Sequence, residues 1–435
     1  MLFKSTFFEI CRFELRQQLK APLLWIIAVV FGALAFTLVS TDAVIAGGAS
    51  GNVLRNAPLV IVRLLTLLTV LSMFLVTVFV AGAALRDFDQ RTSELFFTTP
   101  ISRGAYLGGR FAAGYLAALA IMLVCALGIA VGGMMPWIDA ARLGPASWHG
   151  YAWAFGVMVV PDMLFIAALL FLIASTTRSL LATYIGLIAY FALNLIVGLL
   201  SRDVNNHFVA AMLDPFGGRT VALVTRYWSA YQSNHQLPAL TGVLLFNRLL
   251  WLGVSAAMLV ATFALFRPNR EGLQLPRRKP RAEPPMLRPA ASQVALTLPK
   301  VHLADNVRAH LLQLRAQFAF DTLGVLRGAP FLIMLALGLT NLIASLFLSG
   351  QIYGTATWPV THKVLEMLQG AFQWLLFIII TFYAGELVWR ERSQRSAEVS
   401  DAFPLPDWIP LTAKLGALLA VIAVFLLVGT VIGIG

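Results

Sequence analysis

Apolar residues fill nine long stretches of this chain: near 22–41, 58–85, 111–134, 151–175, 180–200 and 246–266, and again near 329–349, 368–388 and 414–434. About 20 apolar residues in a helix cross a hydrocarbon core of roughly 30 Å, so each stretch is long enough to span a bilayer. The 58–85 stretch, about 42 Å as a helix, must tilt or project beyond the membrane. Before each series lies a stretch with helical rather than continuous apolar spacing. Phe3, Phe7, Phe8, Cys11, Leu15 and Leu19 recur at three- and four-residue intervals, with Lys4, Arg12, Arg16 and Lys20 on other faces. Val307, Leu311, Leu314, Phe318 and Leu326 do the same, opposite Arg308, Arg315 and Arg327. Such helices lie in the headgroup plane with the apolar face down. The pattern predicts an all-α polytopic membrane protein of about nine transmembrane helices with two amphipathic interfacial helices.

Composition agrees. The chain is 59% hydrophobic and 12% charged, outside the soluble range. Its net charge of +12 does not point to nucleic acid, because the basic residues lie between apolar stretches rather than on one polar domain. With the N-terminus inside, the cytoplasmic stretches hold 24 of the 32 Lys and Arg, 11 of them between Arg267 and Arg327. The opposite orientation contradicts the positive-inside rule, and six spans return the chain to the cytoplasm before that basic segment. Some twenty charged, amphipathic residues precede the first apolar run, too many for a signal-peptide n-region. Cys11 and Cys125 form neither a disulfide framework nor a metal spacing.

The segment Leu-Pro-Arg-Arg-Lys-Pro-Arg-Ala-Glu-Pro-Pro (275–285) cannot continue a helix and reads as an extended tether, with anionic lipid headgroups as a second reading. It divides a first module, 1–266, from a second, 305–435, through a basic Pro-rich linker, 267–304. The modules share a charged signature. Arg86-Asp87, Arg91, Thr92, Glu94, Leu95, Pro100 and Arg110 match Arg390-Glu391, Arg395, Ser396, Glu398, Val399, Pro404 and Lys414 at an offset of 304. Phe13-Glu14 and Leu19-Lys20 match Phe320-Asp321 and Leu326-Arg327 at 307. A membrane module has been duplicated, and what is retained is a charged segment at the base of the second span. Each signature suits a short helix along the cytoplasmic surface, ended by its proline. The first copy has six spans. The second stops after three, at Gly435, which reads as a piece of a longer protein.

The amphipathic entry helix, the long second span and the sequence RDFDQRTSELFFTTPISR (86–103) resemble the permease of an ABC-type exporter of the six-span class. That resemblance covers one complete copy and half of another. It implies that the signatures are coupling helices docking a separate cytoplasmic ATPase subunit, as a dimer, in a bacterial inner membrane. Arg86, Asp87, Arg91, Glu94 and Pro100, with Arg390, Glu391, Arg395, Glu398 and Pro404, are the expected coupling residues. More narrowly, GNVLRNAP (51–58) and GELVWRERSQRSAEVSDAFPLPDW (385–408) resemble bacterial permeases that continue into a gluzincin-type zinc aminopeptidase, which makes a membrane anchor for such an enzyme the alternative reading.

The chain carries no chemistry of its own for either role. None of the histidines at 149, 207, 235, 302, 310 and 362 belongs to an H-E-x-x-H motif, and no G-x-x-x-x-G-K-[ST] phosphate loop occurs. No catalytic residue, metal or cofactor is therefore expected, and ATP belongs to the partner. Gly108, Gly109 and Gly114 read as close helix contacts. Ionisable residues inside spans are functional candidates: Asp162, nearly mid-span, as a cavity-lining group, and Arg63 and Glu366 near the outer ends of the two second spans. The last two either meet each other or snorkel to water. The outer loop near 201–245 is expected to be partly ordered, with an aromatic anchor and irregularly spaced Asp203, His207, Asp214 and His235. The transported substrate is not encoded in any of these features.

Overall fold

A computed structural model describes residues 2–41, 47–49, 51–90, 92–99, 101–200, 206–266, 306–348, 351–352, 355–356, 361–393 and 406–434. The chain divides into two compact units, Met1–Leu273 with Leu348–Thr357, and Gln274–Phe347 with Trp358–Gly435. The expected boundary falls in the linker, which lies outside the described residues together with Arg91, Pro100, Arg395, Glu398 and Pro404. Among the described residues, nine helices are long and apolar enough to cross a membrane. Among the described residues, the one departure from an all-α build is a short antiparallel pair, Gln351–Ile352 with Thr355–Ala356. The protein is a multi-pass, all-α membrane protein.

In the first unit α1 (Leu2–Lys20) precedes the span α2 (Pro22–Ser40). The second span is continuous over Pro58–Asp89. It comprises α3 (Pro58–Val76), a wide π-turn (Thr77–Ala81) and α4 (Gly82–Asp89). After α5 (Ser93–Thr98), α6 (Arg103–Gly132) forms the third span. The fourth is α7 (Trp148–Trp153), a second π-turn (Ala154–Val159) and α8 (Val160–Thr177). Pro161 supplies no N–H at the start of α8, and a widened turn just before it is a common way for a helix to absorb that loss. Then come α9 (Leu180–Leu200), the short helices α10 (His207–Met212), α11 (Gly218–Val224) and α12 (Ala230–His235), and α13 (Gly242–Leu265). The loop near 201–245, expected to be partly ordered, carries these three short helices over its described residues.

The core of this unit is the second span: Leu59, Val60, Ile61, Val62, Leu64, Leu65, Leu68, Met73 and Val76 are essentially inaccessible, packed against Met158, Met163, Phe165 and Phe171 of the fourth. Small residues bring α2 and α6 together. A Cβ added at Gly128 would stand 2.5 Å from the Gly32 carbonyl, and one at Gly132 2.7 Å from that of Phe36. Gly109 and Gly114 admit α1 and the π-turn equally closely, with Ile10 Cγ2 at 2.9 Å and Val80 Cα at 3.0 Å. Outward, Trp25, Ile26, Val29 and Val30 of α2 are exposed, the stripe a bilayer covers.

In the second unit α14 (Val307–Leu326) leads into α15 (Ala329–Leu348), followed by α16 (Thr361–Ser393) and α17 (Trp408–Ile434). Phe372 and Phe425, with ring centroids 4.7 Å apart, centre its core, and Gly429 and Gly338 make room for them.

Candidate functional site

The amphipathic α1 does not rest on lipid alone. Its inward face carries Glu14, fully buried, and Gln18, 4% exposed, while Phe8 and Phe13 point outward. A buried carboxylate must be paired. Arg86, at the end of the second span, reaches Glu14 at 2.5 Å and donates to Gln17 at 2.9 Å. Arg110, about two turns into the third span, donates to Glu14 at 2.9 Å, to the Ala83 carbonyl at 2.9 Å and to Asp87. Tyr106 donates its hydroxyl to the same Asp87 oxygen at 2.7 Å. Two carboxylates and two guanidiniums thus tie α1, α4 and α6 into one buried knot. Burial, and secondarily the Glu14 charge, raise the neighbouring Cys11 thiol above its usual range.

Arg86 and Asp87 are therefore turned inward and paired, each to a different helix. On this base sits α5. Phe96 and Phe97 are half-buried: the Phe97 ring lies 5.3 Å from Tyr106, 6.1 Å from Phe266 and 6.3 Å from Phe88. Arg110 lies over the Tyr106 and Phe96 rings. The backbone enters α5 through Thr92, whose N–H donates to the Asp87 carbonyl at 2.9 Å. What α5 presents outward is Glu94, Leu95 (71% exposed) and Thr98. The turn between α8 and α9 lies alongside. Arg178 adopts left-handed φ (51°), and its guanidinium stands 4.3 Å from the Phe88 ring centre.

The second unit repeats the knot. Asp321, fully buried on α14, takes Arg390 at 2.5 Å, and Glu391 pairs with Lys414 at 2.9 Å. Each residue is the offset counterpart of Glu14, Arg86, Asp87 and Arg110. The sequence placed Glu14 and Asp321 in the duplicated pattern, but not as the acids that anchor Arg86 and Arg390. An acid on the inner face of an interfacial helix was the available signal.

A second polar cluster lies deep in the first unit. Asp162 has no accessible surface. Its Oδ1 accepts from Arg248 Nη1 at 2.6 Å, and Thr69 Oγ1 lies 3.1 Å from Oδ2. Arg248 also donates to the Pro215 carbonyl and to Asn247 Oδ1. Asn247 Nδ2 donates to the carbonyls of Ala211 and Asp214, and Trp251 to that of Met212. Trp251 lies about 14 Å into α13, nine residues past its start at 1.5 Å each. The turn between α10 and α11 therefore dips back toward the bilayer, where polar side chains must satisfy its carbonyls. Gly217 (φ +65°) is needed there: a Cβ would stand 2.1 Å from Arg248 Nη2. Asp162 is thus a clamp on a re-entrant turn, enclosed rather than open to a cavity.

Arg63 donates to Thr225 at 3.1 Å, and Glu366 pairs with His362 one turn earlier at 3.1 Å. Among the described residues, no group of three or more His, Cys, Asp or Glu could hold a metal ion. No protein-family model matches the chain, and no curated protein matches it. The arrangement is that of a multi-pass membrane protein of a build consistent with transport.

Proposed function

We propose that this chain is the transmembrane subunit of an ABC-type exporter of the inner membrane of a bacterium, with its N-terminus in the cytoplasm. A separate ATPase subunit, acting as a dimer, would dock on α5 and on the matching segment of the second unit. Neither ATP hydrolysis nor any other catalysis is assigned to this chain. The observation that carries the reading is the mounting of α5. A short helix with an exposed acid and an exposed leucine is bolted through Phe96 and Phe97 to a buried charge knot, and the knot joins three elements that would otherwise move separately. Force applied at α5 would reach the interfacial helix and the second and third spans together. The recurrence of the knot in the second unit fits two docking points for two motor subunits. At the opposite end, the re-entrant turn clamped by Asp162 and Arg248 would close the outer mouth in this state, and rocking of the helices would open it.

The test reverses Glu94 and its sequence counterpart Glu398 while leaving the knot intact. In the double variant Glu94→Arg and Glu398→Arg, membrane insertion and thermal stability should be unchanged, whereas co-purification of an ATPase encoded beside the chain should fall at least about tenfold, the scale of one lost charged contact. Undiminished association would refute docking through these segments.

A further inference from the structure

The second spans of the two units are covered differently. In the first unit the fourth span closes one side of the second. A Cβ added at Gly150 would stand 3.3 Å from Pro58 Cα, Thr69 Oγ1 lies 3.1 Å from the Asp162 carboxylate, and Ser72 donates to Met163 Sδ at 3.2 Å. In the second unit α16 buries Phe372, Leu375, Ile379, Tyr383 and Leu387, spaced three and four apart. They face its companion spans: Phe372 lies against Phe425 of α17, and a Cβ added at Gly338 of α15 would stand 3.1 Å from Leu375. A second stripe of the same helix, Gln369, Gln373, Phe377, Ile380, Ala384 and Val388, has the same spacing and is exposed along its whole length.

We propose that this stripe docks a further transmembrane helix, supplied from outside residues 1–435 and set against α16 as the fourth span is set against the second in the first unit. Phe377 and Ile380 could face lipid at no cost, but Gln373 could not. It precedes Arg390 by seventeen residues, as Thr69 precedes Arg86, and Arg390 is bound to the interfacial α14. Seventeen residues are about 26 Å of helix, short of the roughly 30 Å of hydrocarbon, so an exposed amide there has no water to bond. The occupant must therefore bring a carboxyl, amide or hydroxyl group to that depth. In the first unit Asp162 of the fourth span does this for Thr69. That span is itself committed, because Asp162 is also held by Arg248. From Gln369 to Val388 the stripe runs nineteen residues, about 29 Å, which only a spanning element can cover. Gly370 and Gly385 are exposed on the same helix, and an added Cβ at either meets nothing within 4 Å, so a second backbone can come close. The inference is independent of docking by an ATPase.

The test is photo-crosslinking of the whole chain in the membranes of its own cell, with p-benzoylphenylalanine in place of Phe377 or, as a control, of Val29, which is exposed on α2. At position 377 the adduct should be a peptide from outside residues 1–435, lying in an apolar stretch of about 20 residues that contains a hydrogen-bonding side chain. At position 29 it should be lipid alone. Gln373→Leu alters an exposed position and leaves the buried side of α16 untouched. It should lower the peptide yield about fivefold, the scale of one hydrogen bond between membrane helices. Gln369→Leu, four residues nearer the surface, should leave the yield unchanged and controls for any loss of folding. An adduct at 377 with lipid alone, with a second copy of the chain, with the chain's own first unit or with a peptide lacking such an apolar stretch overturns the proposal. So does the absence of any adduct, which a water-filled face would give, or a yield that Gln373→Leu does not change.

Discussion

Arg248 shows how a single side chain sets the shape of the end of the first unit away from α5. It has Asp162 on one side and the Pro215 carbonyl on the other, while its neighbour Asn247 holds two more carbonyls of the same turn. Removing one member of a buried ion pair strands the other in a medium that solvates it poorly, at a cost of about 3–5 kcal/mol, whereas removing both is far milder. Asp162→Asn and Arg248→Met should therefore each lower the thermal midpoint of the purified protein strongly. The double variant should lose clearly less than the sum, with a coupling on the order of 1–3 kcal/mol. Additive losses would mean that the two groups act separately and that the turn is held by Asn247 and Trp251 alone. Arg110 is in a harsher position, since it serves two carboxylates on different helices. Its counterpart Lys414 serves one, at a partly exposed site.

At the scale of elements, the contact between α2 and α6 depends on backbone approach rather than on interdigitating side chains. With 2.5 Å between a Gly128 Cβ and the Gly32 carbonyl, Gly128→Val must push the helices apart. Overpacking of this kind costs about 1–3 kcal/mol, and small residues spaced four apart are the usual means by which membrane helices meet closely. Gly253→Val on α13, where an added Cβ meets nothing within 4 Å, should be nearly silent, so the two variants compared by detergent unfolding isolate the contact. All nine spans were legible as apolar stretches, because length and hydropathy alone decide whether a helix crosses. The glycines at 108, 109 and 114 were legible as contacts because small residues in spans let helices approach closely. Three features were not. Glu14 looked like one more charge on an amphipathic helix, since the partner that makes it internal lies 72 residues away. Arg248 was unremarked because it stands near the start of a span, where an arginine ordinarily snorkels. The dip between α10 and α11 is read by carbonyl groups, which leave no trace in residue type.

For the molecule as a whole, the duplication fixes more than the spans do. The acid on the interfacial helix and the charges ending the second span recur as the same ion pairs in both units. In each unit these pairs sit at the end of the second span, and which face of the membrane that end lies on decides the functional reading. The proposed N-terminus-in topology makes it the inner face, with 24 of 32 Lys and Arg on that side. Single cysteines test this directly in a chain whose Cys11 and Cys125 have been replaced by serine. Ala146 and Gln236 are exposed on the loops of the far side, and Thr98 is exposed on α5. In intact cells, a membrane-impermeant maleimide should label Ala146→Cys and Gln236→Cys and spare Thr98→Cys, which should react only after the membrane is opened. The reverse pattern would place α5 outside, beyond the reach of any cytoplasmic ATPase, and would end the exporter reading while leaving the fold untouched.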